Sequence, residues 1–296
     1  MYKKQKYHNP RRTVFWLLLF LACIIMEFPL VEDALSNIRQ IGSVADYQEK
    51  VEGMSKDEIE EEKERVRNYN QNIYEEQMEE EFHYQGPDVT DREYESLLSS
   101  EDQNGANIMG FIEIPDIGVY LPVGHGTQES ILQYAAGHMY GSSLPLGGKN
   151  TNAIIAGHTG LATARLFTDV KTLEKGAEVR IHVLDEIHRY RLVRKKQVAQ
   201  GPDETPLLQM EKGKDELTLY TCSPYGVNDH RIIERFERVY PGLSISDEAG
   251  EDLTSLGTDA LIRLILCAAL PAGIVTAGLV DRHRRKKKNL RKMERR

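Results

Sequence analysis

Two apolar runs frame this chain and set the surroundings in which everything between them folds. TVFWLLLFLACIIMEFPLV is apolar from Val14 to Met26 and continues past Glu27 to Val31, and LILCAALPAGIVTAGLV spans Leu264 to Val280. Crossing a bilayer takes about 20 such residues, with about 17 at the short end. Pro271 and Gly273 are compatible with a membrane helix. Each run abuts basic sequence. Residues 1–12 carry five basic side chains and no acid, and residues 281–296 carry ten against Asp281 and Glu294. By the positive-inside rule both ends stay in the cytoplasm, which puts roughly residues 32–260 outside the cell. Glu27 and Pro29 leave no small-x-small cleavage site, so the first run reads as a retained anchor rather than a signal peptide.

The formal net charge of −8 hides this segregation: with the two basic ends set aside, the middle carries −21. An acidic middle excludes nucleic acid as the partner, because phosphate contacts need a basic surface. The histidines are scattered and the exported part holds a single cysteine, so no zinc site is expected. No phosphate-cradling glycine motif occurs, and no cofactor is expected.

From Val44 to about Phe82 the sequence is rich in Glu, Lys, Gln and Asn without proline, which predicts one or two exposed helices broken at Gly53. Ser55 with Glu58 three residues later makes a capping box for the second. Residues 83–107 read as a long connecting loop with a helix-like turn at Asp91–Leu98. Short β runs follow: MGFIEI, GVYLPV, NAIIAG, AEVRIHVL, HRYRLVRKKQV, DELTLYTC and RIIERFERV. QESILQYAAG and ATARLFTDVKTL read as short helices between them. Seven strands at this spacing predict a mainly β fold, a closed or nearly closed barrel.

Cys23 and Cys267 lie in the apolar runs, so Cys222 has no disulfide partner in the exported part. A lone thiol there is either a buried small hydrophobe or a group that is used. Leu217 and Leu219 alternate with Thr218 and Tyr220, so Cys222 falls on the face opposite the leucines, at the strand's end before Ser223-Pro224-Tyr225-Gly226. A rigid, accessible strand end suits a nucleophile. A free thiol is only a few per cent ionised at neutral pH and needs a base or cation nearby. His158 closes the strand NAIIAG in the same way, while His125, His138 and His230 are further candidates. Arg231 offers a permanent charge and forked donors suited to an oxyanion.

The order His158, Cys222, Arg231, with Thr218-Leu219-Tyr220-Thr221-Cys222 matching T-L-x-T-C, resembles the sortases, the membrane-anchored cysteine transpeptidases of Gram-positive bacteria. SPYGVNDHR, GFIEIPDIGVYLPVGHGT, LPLGGKN and GHTGLATARLFTDV look like segments of the class C, pilus-assembling type, as do anchors at both ends. The resemblance implies an eight-stranded sortase-like β-barrel with short helices. It implies tails at 1–12 and 281–296, anchors at 13–31 and 261–280, and an extracellular helical segment at 32–82. A lid-like loop would occupy 83–107, the catalytic barrel 108–245 and a linker 246–260.

Carried across, Cys222 is the nucleophile, His158 the acid and base, and Arg231 the group that steadies the oxyanion. Thr221, Tyr225 and His230 are candidate substrate contacts. No Asp or Asn is needed to orient the histidine. The implied reaction cuts an LPXTG-like sorting signal between Thr and Gly through a Cys222 thioester, then passes the acyl group to a lysine amine of another pilin. Anchoring of surface proteins to peptidoglycan is the alternative, and a non-catalytic membrane-bound sensor or adhesion scaffold the alternative of another class. Class C lids often place an Asp-Pro-aromatic motif over the site. Here Gly86-Pro87-Asp88-Val89 changes the order. Asp88 reaching Arg231, or Phe82 or Tyr84 covering Cys222, remain options, and the expectation is a weak or open lid.

Overall fold

Helix-forming sequence carries the N-terminal part into two helices, α1 (Pro10–Glu52), which runs on through Pro29, and α2 (Lys56–Glu79). The break falls at Gly53 and Met54, and Ser55 with Glu58 forms the full capping box: the Ser55 hydroxyl accepts from Glu58 N at 3.3 Å, and the Glu58 carboxylate accepts from Ser55 N at 2.8 Å. The computed structural model describes residues 10–80, 82, 86, 91–161, 164–224, 226–239, 243–244 and 253–294. It divides into two units, residues 1–35 with 258–296 and residues 36–257.

The first unit holds the start of α1 and most of α6 (Leu253–Glu294). Both helices are long and apolar enough to cross a membrane. Phe15, Leu17 and Leu18 on α1, and Ile265, Leu266 and Leu270 on α6, are all exposed. Lipid, rather than protein, is the natural cover for that much apolar surface.

The second unit is the barrel. Its strands are β1 (Ser100–Glu101), β2 (Asn107–Ile114), β3 (Val119–His125), β4 (Ala136–His138), β5 (Thr151–Ala156), β6 (Glu178–Val183), β7 (Glu186–Ala199), β8 (Asp215–Ser223), β9 (His230–Arg238) and β10 (Leu243–Ser244). Neighbours run β2-β3-β4-β5-β8-β9-β7, and β6 pairs with both β7 and β2, which closes an eight-stranded ring. The two-residue strands β1 and β10 pair with β2 and β7 outside that ring. Inward side chains of alternate positions fill the centre, among them Ile112, Leu121, Val123, Ile155, Val179, Ile181, Leu217, Leu219 and Phe236. Each such side chain contributes about 1.5–3 kcal/mol on burial.

Two expectations need correction. QESILQYAAG is helical only over α4 (Glu129–Leu132); Ala136–His138 is instead the eighth barrel strand, parallel to β3. Gly137 permits that pairing, since a Cβ there would lie 2.4 Å from the Gly126 carbonyl oxygen. ATARLFTDVKTL forms turns and a single 3-10 turn at Val170–Thr172 among its described residues. Leu166, at φ 37°, and Phe167 turn inward to the core instead of continuing a helix. Among the described residues of 83–107, α3 (Arg92–Ser96), capped by Asp91, falls on the helix-like turn expected at Asp91–Leu98, and β1 follows it.

Candidate active site

Three adjacent strands bring the expected groups to one end of the barrel. β5 and β8 run parallel, with Ala156 opposite Tyr220, and β8 and β9 run antiparallel, with Cys222 opposite Arg231. Gly157 N continues the β5–β8 ladder by donating to the Tyr220 carbonyl at 3.1 Å. His158 follows directly, two residues past Ala156, as Cys222 is two residues past Tyr220. The glycine is required: a Cβ at 157 would lie 2.5 Å from the Phe167 ring. Cys222 itself is reduced and half-buried, at the penultimate position of β8.

Burial separates the histidines. His138 is fully enclosed between the Tyr94 hydroxyl, 2.9 Å away, and the Ser143 carbonyl, 2.8 Å away, and burial pushes its pKa down to about 3. His125 is buried against the carbonyls of Asn107 and Leu97, and burial lowers its pKa too. Burial, assisted by Arg238 and Lys63, takes His188 down to about 3. His182 is buried 3.2 Å from the Glu113 carboxylate. Neutral or locked imidazoles of this kind cannot exchange protons with a substrate. The His158 side chain is 29% exposed at the strand end.

His158 Nε2 lies 3.2 Å from Glu129 Oε2, a partner the sequence gave no sign of. A carboxylate only accepts, so in this contact Nε2 is the donor. Glu129 is 66% exposed, so water screens most of this attraction.

Arg231 is buried and firmly held. Its Nε donates to the Tyr220 hydroxyl at 2.9 Å, and Nη1 donates to the carbonyls of Asn228 at 2.8 Å and His230 at 3.0 Å. The remaining candidates divide. Thr221 sits on the leucine face, its hydroxyl donating to the Gly157 carbonyl at 2.6 Å, so it braces the His158 turn instead of meeting the groove. His230 is exposed at the start of β9, 2.7 Å from Asp229. Asp88 and Tyr225 lie outside the described residues, as does Tyr84.

The outer face of these strands forms a floor: Ile154 and Ala156 from β5, Tyr220 from β8 and Ile233 from β9. The connection between β7 and β8, with a 3-10 turn at Pro202–Glu204 and α5 (Thr205–Leu208), supplies a wall through Leu207 and Leu208. Asn152 and Arg235 fasten it: Asn152 Nδ2 donates to the Leu208 carbonyl at 2.9 Å, and Arg235 Nη2 donates to those of Leu207 and Gln209, both at 2.7 Å. Phe82, only 4% exposed, lies on this floor with Met139, Leu208 and Ile233. Among the described residues no group of three His, Cys, Asp or Glu is arranged to hold a metal ion.

The geometry has counterparts among known proteins. The family model described as the sortase domain matches residues 112–239. A sortase C of Streptococcus pneumoniae, whose structure is described as informing catalysis and pilin substrate specificity, is 32% identical; the match covers 68% of this chain and 98% of that one, with a TM-score of 0.59. A sortase C of Clostridium perfringens, solved with a C-terminal cell wall sorting motif, is 33% identical, with 67% and 98% covered and a TM-score of 0.56. Sortase A of Streptococcus agalactiae serotype III (strain NEM316) is 29% identical over 160 residues, which span 52% of this chain and 63% of that relative's length. With the sortase domain matched over residues 112–239, and solved sortase C structures 32% and 33% identical and covered over 98% of their length, the chain belongs to the sortase family.

Proposed function

We propose that this chain is a membrane-held cysteine transpeptidase of the class C type, which joins pilin subunits outside the cell. The observation that carries the reading is the register that sets Cys222 of β8 opposite Arg231 of β9, with His158 two residues past the end of β5 on the neighbouring strand, beside an apolar floor. Cys222 sulfur attacks the Thr carbonyl of an LPXTG-like sorting signal, its proton passing to His158. Arg231 steadies the oxyanion that forms. As the Thr–Gly bond breaks, His158 returns the proton to the departing glycine amine and a thioester remains. A lysine amine of another pilin then attacks the thioester, forms an isopeptide bond and restores the thiol. Splitting amide exchange into two acyl transfers lowers each barrier. The S. pneumoniae and C. perfringens relatives, linked respectively to pilin specificity and to a bound sorting motif, support the substrate class.

The test uses the intact chain in lipid nanodiscs with a peptide that carries LPXTG followed by a short tail. Mass spectrometry is expected to find Cys222 carrying the peptide up to Thr, and added lysine peptide is expected to release a branched product. An unmodified Cys222 with every sorting-signal variant tried would defeat the reading.

Phe82 covers the floor on which the signal would lie, so its ring has to move before substrate can lie there. A site open only part of the time binds with affinity reduced by that fraction. Phe82→Ala is therefore expected to raise both iodoacetamide labelling of Cys222 and peptide kcat/KM by about tenfold. Unchanged labelling would show that the phenyl ring covers nothing of consequence.

A further inference from the structure

The variable position of the T-L-x-T-C motif is a tyrosine here, and its hydroxyl sits at the centre of a short chain of hydrogen bonds. Tyr220 shares its strand face with Cys222 and lies diagonally across from Arg231 on β9. The phenol accepts from Arg231 Nε at 2.9 Å and donates to Glu204 Oε2 at 2.5 Å. The other Glu204 oxygen accepts from Gly201 N at 2.7 Å, which fixes the carboxylate within the β7–β8 connection. Arg231 also lies over the ring itself, 5.9 Å from the centroid. Burial, and then Glu204, hold the Tyr220 pKa well above its ordinary value, so the hydroxyl stays protonated and can donate and accept together.

We propose that Tyr220 and Glu204 are positioning residues that set the Arg231 guanidinium for the acyl-transfer step, so that the connection forming one wall of the groove also holds the oxyanion-stabilising arginine. The argument has two physical parts. A guanidinium on a three-carbon stem has many rotamers, and a donor is useful in catalysis only if it is aimed before charge develops. The two carbonyls of Asn228 and His230 hold one nitrogen from the β8–β9 turn, and the phenol holds a second from the strand floor. Glu204 keeps the phenol oxygen's lone pairs turned toward Arg231 by taking its proton. The Tyr220 hydroxyl is engaged by Arg231 and Glu204, and Glu204 reaches the arginine only through that hydroxyl, so each acts through the arginine.

This inference rests on the transpeptidase reading, and the experiment separates the two. In the intact chain in nanodiscs, Tyr220→Phe removes one oxygen and keeps the ring on the floor. It is expected to lower kcat for the sorting-signal peptide by about 10- to 100-fold, the size of a lost charge-assisted hydrogen bond. KM is expected to stay within about twofold, as is iodoacetamide labelling of Cys222, since only a transition-state interaction is lost. Glu204→Gln, which still accepts through its carbonyl oxygen, is expected to fall between parent and Tyr220→Phe, and Glu204→Ala to match Tyr220→Phe. A parent that forms no adduct overturns the transpeptidase reading. An active parent with Tyr220→Phe unchanged in kcat, or altered only in KM, overturns the positioning role and leaves Tyr220 as groove lining. Should Tyr220→Phe fail to fold by thermal melting, Glu204→Ala on the half-exposed connection decides: unchanged kcat there overturns the proposal.

Discussion

His158→Ala in the intact chain lowers turnover of a sorting-signal peptide by about 10³-fold, and Cys222→Ala removes it altogether. The two losses differ because the groups do different jobs. Without sulfur no acyl group can be held, so no second pathway remains. Without imidazole the nucleophile is still present, but nothing takes its proton or protonates the leaving amine. General acid–base groups contribute about 10²–10⁴-fold, and amide cleavage needs both the acid and the base role of one residue here. The double variant is expected to be no worse than Cys222→Ala alone, since residues that act as a unit do not add. Burst-phase mass spectrometry of the adduct, alongside steady-state cleavage, checks each case. Retention of more than a tenth of parental turnover in His158→Ala would show that another group handles the proton, and the buried, depressed His125, His138 and His188 offer no replacement.

What could be read from the sequence follows a physical division. The placement of Cys222 and His158 at one end of the sheet was legible because the strands that lead to them are strongly alternating or apolar: Cys222 is the penultimate residue of β8 and His158 lies two past the end of β5. Arg231 gained its place through the motif order, and the register that sets it opposite Cys222 is a property of the folded sheet. Thr221 was open to a better reading: it shares parity with Leu217 and Leu219, so the alternation that turned Cys222 outward also turned Thr221 inward. Strand β4 had no such signal. Three residues are too few to show a period, and its pairing with β3 and β5 is dictated by the closed ring. Glu129 beside His158 and Glu204 beside Tyr220 were equally silent, because exposed or half-exposed carboxylates in short helical turns look alike until the chain is folded.

Arg235→Met is expected to cost about 3–5 kcal/mol of stability at pH 8, a fall of roughly 10 °C in melting temperature for a unit this size. Arg235 is 2% exposed, and its Nη1 lies 3.1 Å from Glu216 Oε2 and 3.1 Å from Glu211 Oε1. Methionine fills much of the volume but leaves Glu216, itself 1% exposed, as a buried carboxylate without its cation. The pH dependence identifies that cause. Burial already raises the Glu216 pKa from the ordinary 4.5 to about 7, with Arg235 opposing the rise. A carboxyl whose pKa is higher folded than unfolded holds a proton that unfolding releases. The stability it contributes is therefore present below 4.5 and is lost as pH climbs toward 7. Removing Arg235 moves the folded value higher still, so the loss continues past neutrality. The gap between parent and variant should be narrow at pH 5, where Glu216 is protonated in the folded form of both, and wide at pH 8. Equal gaps at the two pH values would mean that Arg235 acts through packing and its bonds to Leu207 and Gln209 rather than by neutralising Glu216. Those same bonds fasten the groove wall, so the variant is also expected to raise peptide KM at temperatures where it remains folded.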